Sequence, residues 1–200
     1  MAVITISRQY ATNGIFFGKK LSEKLNYAFV NKDIYKRVSE TENISIEELK
    51  AMESISGLGI DFFQRLIDSD YIKRITGRKD VSFEHNEVVK AVEQAIKDIA
   101  KTGNVIILGR AAQCILQDEE NVFHIKLIKS YDDRLKFLTE RGITRKGAES
   151  TIKRKDEERE NYIKRFYGKD WNSPELYHLV LNLSKVSVTK GMEIVASLIS

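Results

Sequence analysis

Val3-Ile4-Thr5-Ile6-Ser7-Arg8-Gln9-Tyr10-Ala11-Thr12-Asn13-Gly14 is the stretch that decides the fold. Its apolar start, Val3 to Ile6, is wholly β-branched and suits a buried strand. Thr12, Asn13 and Gly14 are turn and N-cap formers. From Phe17 onward, apolar residues recur at Leu21 and Leu25, while Lys19, Lys20, Glu23 and Lys24 take the other faces, the pattern of an amphipathic helix. A strand, a short loop with a glycine and a helix can together hold an anion. Backbone N–H groups at the helix start point at the ligand, and the helix dipole favours negative charge.

The alternation continues outward from this unit. Tyr27-Ala28-Phe29-Val30 reads as a second short strand, and Asn31 as the cap of a helix through Ile34, Tyr35 and Val38. Residues 42–85 carry few strand signals, and Ser45-Ile46-Glu47-Glu48 is a capping-box start, so a helical insert is expected there. A long helix over 84–101, with Val88, Val92, Ile96 and Ile99, leads into Val105-Ile106-Ile107-Leu108, the clearest buried strand. Then come Gly109-Arg110, a short helix to Leu116, a strand over 122–127 and a helix over 132–140. A charged helix over 147–166, a strand over 179–183 and a helix over 189–198 complete the order.

Apolar strands alternating with helices predict an α/β fold, a three-layer parallel sheet with helices on both faces. Within a single domain, the expected core is 1–41, 86–140 and 176–200, with the insert at 42–85 and a lid helix region at 141–170. Ligands of such folds bind at the carboxyl ends of strands. That singles out Ser7 to Gly14, Asn31 to Asp33, Gly109-Arg110 and Asn182.

Composition narrows the class. The 200 residues are 42% hydrophobic and 31% charged, enough for a buried core and unlike a disordered chain. A single cysteine, Cys114, excludes an internal disulfide framework and fits a reducing compartment. No apolar run approaches the roughly 18 residues of a membrane span, and MAVITISRQY has no signal-peptide pattern. A cytoplasmic protein with no membrane partner is expected. The net charge of +4 is mild, and basic residues interleave with acids instead of forming a stripe, so nucleic acid is not an expected partner. His85, His124 and His178 are far apart with no ligand spacing, and no metal site made by the protein alone is expected.

The standard phosphate loop reads G-x-x-x-x-G-K-[ST]. Here Gly14-Ile15-Phe16 stands where Gly-Lys-Ser/Thr is expected, and Lys19-Lys20 lie more than a helical turn further on. Read alone, the segment is more simply an ordinary βα loop.

Several segments in order nevertheless resemble the cytidylate kinase-like family, part of the nucleoside monophosphate kinase branch of the P-loop proteins. They are ITISRQYATNG, GKKLSEKL, FVNKDIY, LGRAAQCIL, KDEERENYIKRFYGKDW and LYHLVLN. The resemblance runs over almost the whole chain and is weakest at 42–85. In that family the first loop typically reads S-R-E-Y-G-S-G-G-R-E-I-G-K-K-L. Ser7, Arg8, Tyr10, Gly14, Gly18, Lys19, Lys20 and Leu21 match it; Ala11 and Asn13 replace glycines, and Ile15-Phe16 replace Arg-Glu.

The resemblance implies transfer of a phosphoryl group from ATP, with Mg²⁺, to a small acceptor, CMP being the family default. It implies a cofactor site of Ser7, Arg8, Tyr10, Thr12, Asn13, Gly14 and Lys19. Asn31, Lys32, Asp33 and Arg110 would meet the acceptor, and Arg110, Arg154 and Arg159 would supply catalytic charge. The partner implied is a small nucleotide, and a homodimer is compatible with this.

Each of these residues also has a plainer role. Asn31 is an N-cap and Asp33 a first-turn acid, while Arg154 and Arg159 sit in a salt-laced helix with Asp156, Glu157, Glu158 and Glu160. Tyr162, Phe166, Tyr167 and Trp171 are expected to pack the lid helix onto the core. Two functional readings stand: an active nucleotide kinase, and a nucleotide- or anion-binding protein of the same fold whose transfer is impaired by Ile15 and Phe16.

Overall fold

A computed structural model describes residues 2–31 and 85–199. Its elements are β1 (Val3–Arg8), α1 (Gly14–Leu25), β2 (Ala28–Val30), α2 (His85–Lys101), β3 (Val105–Leu108) and α3 (Ala112–Ile115). They continue with β4 (Val122–Ile128), α4 (Tyr131–Thr139), α5 (Arg145–Tyr167), a 3-10 turn (Pro174–Leu176), β5 (Leu179–Asn182) and α6 (Val188–Ile199). The helix expected after Asn31 and nearly all of the expected insert lie outside the described residues.

The strands form one parallel sheet in the order β2-β3-β1-β4-β5. β1 is central: Val3 to Ile6 pair with Val105 to Leu108 on one side, and Val3 to Arg8 with Val122 to Leu127 on the other. Successive side chains of a strand point to opposite faces, so a strand covered on both sides must be apolar throughout. Ile4, Ile6, Ile106, Leu108, Ile125 and Leu127 pack against Phe17 and Leu21 of α1 and Val195 of α6. Val3, Val105, Ile107 and Val122 face Val92, Ile96 and Ile99 of α2. Fully burying a side chain such as Ile96 contributes about 2 kcal/mol.

Helices on both faces make the three expected layers. α4 and α5 meet through Leu135, Leu138, Ala148 and Ile152, and this cluster also receives Tyr10 and Ala11 of the loop after β1. Ser130 and Thr144 cap the two helices through their side chains, on Asp133 N–H and Gly147 N–H. Trp171 is buried with Ala111, Cys114, Ile163 and Tyr177, and Tyr162 and Tyr167 pack against the same cluster, seating α5 on the core. Of the four aromatics expected to do this, Phe166 is not in the cluster and lies against the Tyr162 ring at 4.9 Å between centroids. Burial pushes the Cys114 thiol up to about 11. No described helix is long and apolar enough to cross a membrane.

Two histidines distant in sequence meet in space. β4 and β5 are neighbours, and this brings the rings of His124 and His178 to 5.1 Å between centroids. Hydrogen bonds occupy both Nδ1 atoms: that of His124 lies 2.8 Å from Thr5 Oγ1, and that of His178 accepts from His124 N–H at 2.9 Å.

Candidate functional site

The loop between β1 and α1 turns on two left-handed residues that are not glycine. Ala11 and Asn13, which replace family glycines, adopt left-handed φ values of 63° and 62°. For alanine that conformation costs roughly 1–2 kcal/mol, whereas asparagine tolerates it. Ala11 is held there by packing against the α4–α5 cluster. Asn13 occupies the N-cap of α1 but makes no side-chain capping bond, because its backbone is left-handed instead of extended. The Thr12 hydroxyl donates to Gln9 C=O at 2.9 Å, and Gln9 Oε1 accepts from Lys129 N–H at 3.0 Å.

Gly14 keeps its place in the motif, and Ile15 and Phe16 follow it where the standard loop has Lys and Ser/Thr. Ile15 and Phe16 are 49% and 46% exposed in the first turn of α1. Lys19 is exposed five residues into that helix, about 7.5 Å further along its axis. Lys20 pairs with Glu23 at 2.7 Å.

Positive charge reaches the loop from elsewhere. The Arg8 side chain leaves the end of β1 and runs over Gly14, where an added Cβ would meet Arg8 Cγ at 3.0 Å. Its tip arrives at Gly109, where an added Cβ would lie 2.1 Å from Nη1. Gly109, Arg110 and Ala111 have φ values of 82°, 60° and 53°, three left-handed residues in succession. Strain of about 1–3 kcal/mol per non-glycine residue persists only where the surroundings hold it, typically beside a functional site. The turn leaves Arg110 close enough to repel Arg8. Desolvation, then Arg159 and Arg110, push the Arg8 guanidinium down to about 9. Burial likewise lowers Arg159, which Asp156 partly restores.

Asp156 of α5 joins these pieces. Its Oδ1 accepts from Tyr10 N–H at 2.7 Å and from Arg159 Nη1 at 3.0 Å, and Arg134 of α4 donates to its Oδ2. The Arg159 guanidinium also lies 5.6 Å from the centre of the Tyr10 ring. The helix α5 is thereby fastened to the loop.

Among the residues expected at the site, the structure brings Arg8, Arg110 and Arg159 together around the Tyr10–Gly14 loop. Arg154 is placed differently. It is 53% exposed and paired with Glu158 at 2.6 Å, about 140° around the helix from Arg159. Ser7 is built into the core, its Oγ accepting from Trp171 Nε1 at 2.8 Å. Asn31 is half-buried just past β2, and Lys32 and Asp33 lie outside the described residues.

Three residues near the loop carried no sequence signal. Asp156 stood in a run of acids, Arg134 in an ordinary helix, and Lys126 in a strand. Lys126 is buried, donates to Trp171 C=O at 2.7 Å and Asn172 Oδ1 at 3.0 Å, and lies over the Trp171 ring at 4.2 Å. Desolvation pushes it down to about 8.

Three guanidinium groups beside a helix N-terminus suit a phosphate-bearing anion. The place where the standard loop carries a Ser/Thr hydroxyl for Mg²⁺ is the apolar Phe16, and the nearby Thr12 hydroxyl donates to Gln9 C=O. Among the described residues no group of three His, Cys, Asp or Glu could hold a metal ion. A metal ion would arrive on the phosphates.

Comparison with known proteins agrees with this architecture. An uncharacterized protein from Eubacterium ventriosum superposes with a TM-score of 0.68 at 18% identity, covering 100% of this chain and 98% of that one. Shikimate kinase from Bacteroides thetaiotaomicron gives 0.54 at 12% identity, over 98% and 97% of the two chains. Shikimate kinase from Acinetobacter baumannii, in complex with shikimate, gives 0.50 at 9% identity, over 100% and 93%. No curated protein matches the sequence. A sequence match to the family model over residues 3–185 places this chain in the cytidylate kinase-like family.

Proposed function

We propose that the protein transfers the terminal phosphoryl group of ATP to a small anionic acceptor, a nucleoside monophosphate such as CMP being the first candidate. The convergence of Arg8, Arg110 and Arg159 at the carboxyl edge of β1 and β3 carries this reading. Loop N–H groups at the start of α1 would receive donor phosphates, Arg110 the acceptor's anionic group, and Arg159 the charge that develops between them. Such a reaction needs positioning and positive charge, with no covalent enzyme intermediate. Mg²⁺ carried by ATP would neutralise part of the phosphate charge. A second reading, nucleotide binding without efficient transfer, is favoured by the exposed Ile15 and Phe16 in the first turn of α1.

ADP release from ATP, followed with CMP, UMP, AMP and shikimate as acceptors, separates the two. Release with one acceptor supports the kinase; ATP binding without release supports the second reading. A ligand at ~100 times its Kd adds about 2.7 kcal/mol, roughly 5–10 °C in Tm for a chain of this size. No shift with any nucleotide overturns both. Arg110→Ala is expected to raise the acceptor KM about tenfold or more while that of ATP changes little, as loss of a charge-assisted contact to one ligand requires.

A further inference from the structure

Lys126 stands opposite Ser7 in the ladder between β4 and β1, and both reach Trp171 on one face of the sheet. The lysine is 3% exposed, and among the described residues no hydrogen bond or ion pair joins it to a carboxylate. Its Nζ donates to Trp171 C=O, which also accepts from Tyr177 O–H at 2.9 Å. That carbonyl therefore has a neutral donor already, and the Trp171 and Tyr177 rings would pack as well on an apolar side chain. A buried ammonium with no carboxylate beside it costs stability, and replacing such a charge by an apolar group of similar volume is often neutral or stabilising. A charge kept against that cost acts on more than its own surroundings.

Within reach of the charge are Asp156 and Glu160 of α5 and Asp170 of the connection after it. Asp156 and Glu160 stand one turn apart on one side of the helix. Asp156 is also the acid that takes Tyr10 N–H and Arg159. Trp171 and Asn172, the two acceptors of Lys126, lie three and four residues past the Gly168 cap of α5. We propose that Lys126 is a positioning residue: its ammonium, set between the sheet and α5, holds the acidic side and the exit of that helix against the sheet, and so keeps Arg159 turned to the Tyr10–Gly14 loop. The proposal rests on the reading above in giving Arg159 a phosphate to act on.

Calorimetry with inorganic tripolyphosphate on Lys126→Met, Arg159→Ala and the double variant tests this. Lys126→Met is expected to weaken binding about threefold to thirtyfold, and the double variant to bind no weaker than Arg159→Ala, because the lysine acts through that arginine. Lys126→Gln keeps an N–H donor for Trp171 C=O without the charge. It is expected to lose affinity like Lys126→Met, and it serves if the methionine variant does not fold. In the transfer assay Lys126→Met is expected to lower kcat about tenfold while the acceptor KM stays within about twofold.

A pH series separates the charge from the bonds, since an uncharged amine still donates. Desolvation, opposed by Asp170, Asp156 and Glu160, brings Lys126 from 10.5 down to about 8. The neighbouring groups keep their state across that value: burial pushes Tyr177 up and Cys114 up to about 11, and His124 lies at about 4. Between about pH 7 and pH 9 the folded chain gives up a proton that the unfolded chain keeps, so the wild type gains stability relative to Lys126→Met. Over the same range its tripolyphosphate affinity is expected to fall relative to that variant. A lysine that served the fold alone would not lose ligand while it gained stability.

Wild-type affinity in Lys126→Gln, or a loss in Lys126→Met that adds in full to that of Arg159→Ala, overturns the proposal. So does a wild-type protein that binds no tripolyphosphate. If the cycle behaves as expected but no acceptor elicits ADP release, the role of Lys126 stands and the kinase reading falls. If transfer occurs and Lys126→Met keeps both its kcat and its tripolyphosphate affinity, the kinase reading stands and this one falls.

Discussion

At Gly109 two demands meet: a φ of 82°, which disfavours any side chain, and the Arg8 guanidinium lying where a Cβ would be. Gly109→Ala is expected to destabilise the fold by about 1–3 kcal/mol in urea denaturation. It should also weaken tripolyphosphate binding by displacing Arg8, which calorimetry would detect. His124 offers a pH test. Burial first, then His178, pushes its imidazole from 6.5 down to about 4. The unfolded chain therefore binds the extra proton between those values, and stability falls as the pH is lowered through that window. Urea midpoints for wild type and His124→Gln, compared between about pH 7 and pH 4.5, should show a shallower fall in the variant. Residues of this kind divide sharply in how well the sequence displays them. Arg8 and Arg110 follow strands and so can be picked out, whereas nothing in Arg110-Ala111 announces a left-handed backbone. Lys126 looks like a surface lysine until its aromatic surroundings, Trp171 and Tyr177, are supplied by distant sequence.

The helix α5 shows the same division one level up. Its existence follows from its charge pattern, and the observed Arg145–Tyr167, with Thr144 and Gly168 as its caps, extends the expected 147–166 by two residues at the start and one at the end. Which face meets the loop does not follow, because acids and bases surround the helix on every side. Asp156 decides it by accepting from Tyr10 N–H, Arg159 and Arg134 at once. Asp156→Ala leaves the buried Arg134 without this partner and is expected to lose about 3 kcal/mol of stability. Asp156→Asn should lose less, since it keeps an acceptor for the Tyr10 amide; chemical denaturation of both variants checks the order. Arg154 and Arg159 of α5 should also separate in a binding assay. Arg159→Ala is expected to weaken tripolyphosphate severalfold or more, and Arg154→Ala to change it by less than about twofold, its exposed pair with Glu158 being of small energetic weight. Equal losses would show that Arg154 reaches the ligand.

For the molecule as a whole, the parallel sheet is legible because a strand buried on both faces has to be apolar at every position, and Val3 to Ile6 and Val105 to Leu108 are nearly so. The order of strands is less legible, since the side chains that set it are interchangeable Ile, Leu and Val. That order has a consequence for synthesis. The central strand is made before both of its partners, Val105 to Leu108 and Val122 to Leu127. For about a hundred further residues this apolar, β-prone segment has α1 to pack against but no native strand partner, which is when strands are open to the wrong one. Slow translation between β1 and β3 prolongs that interval instead of helping the chain fold, and chaperone cover over Val3 to Arg8 matters most before β3 emerges.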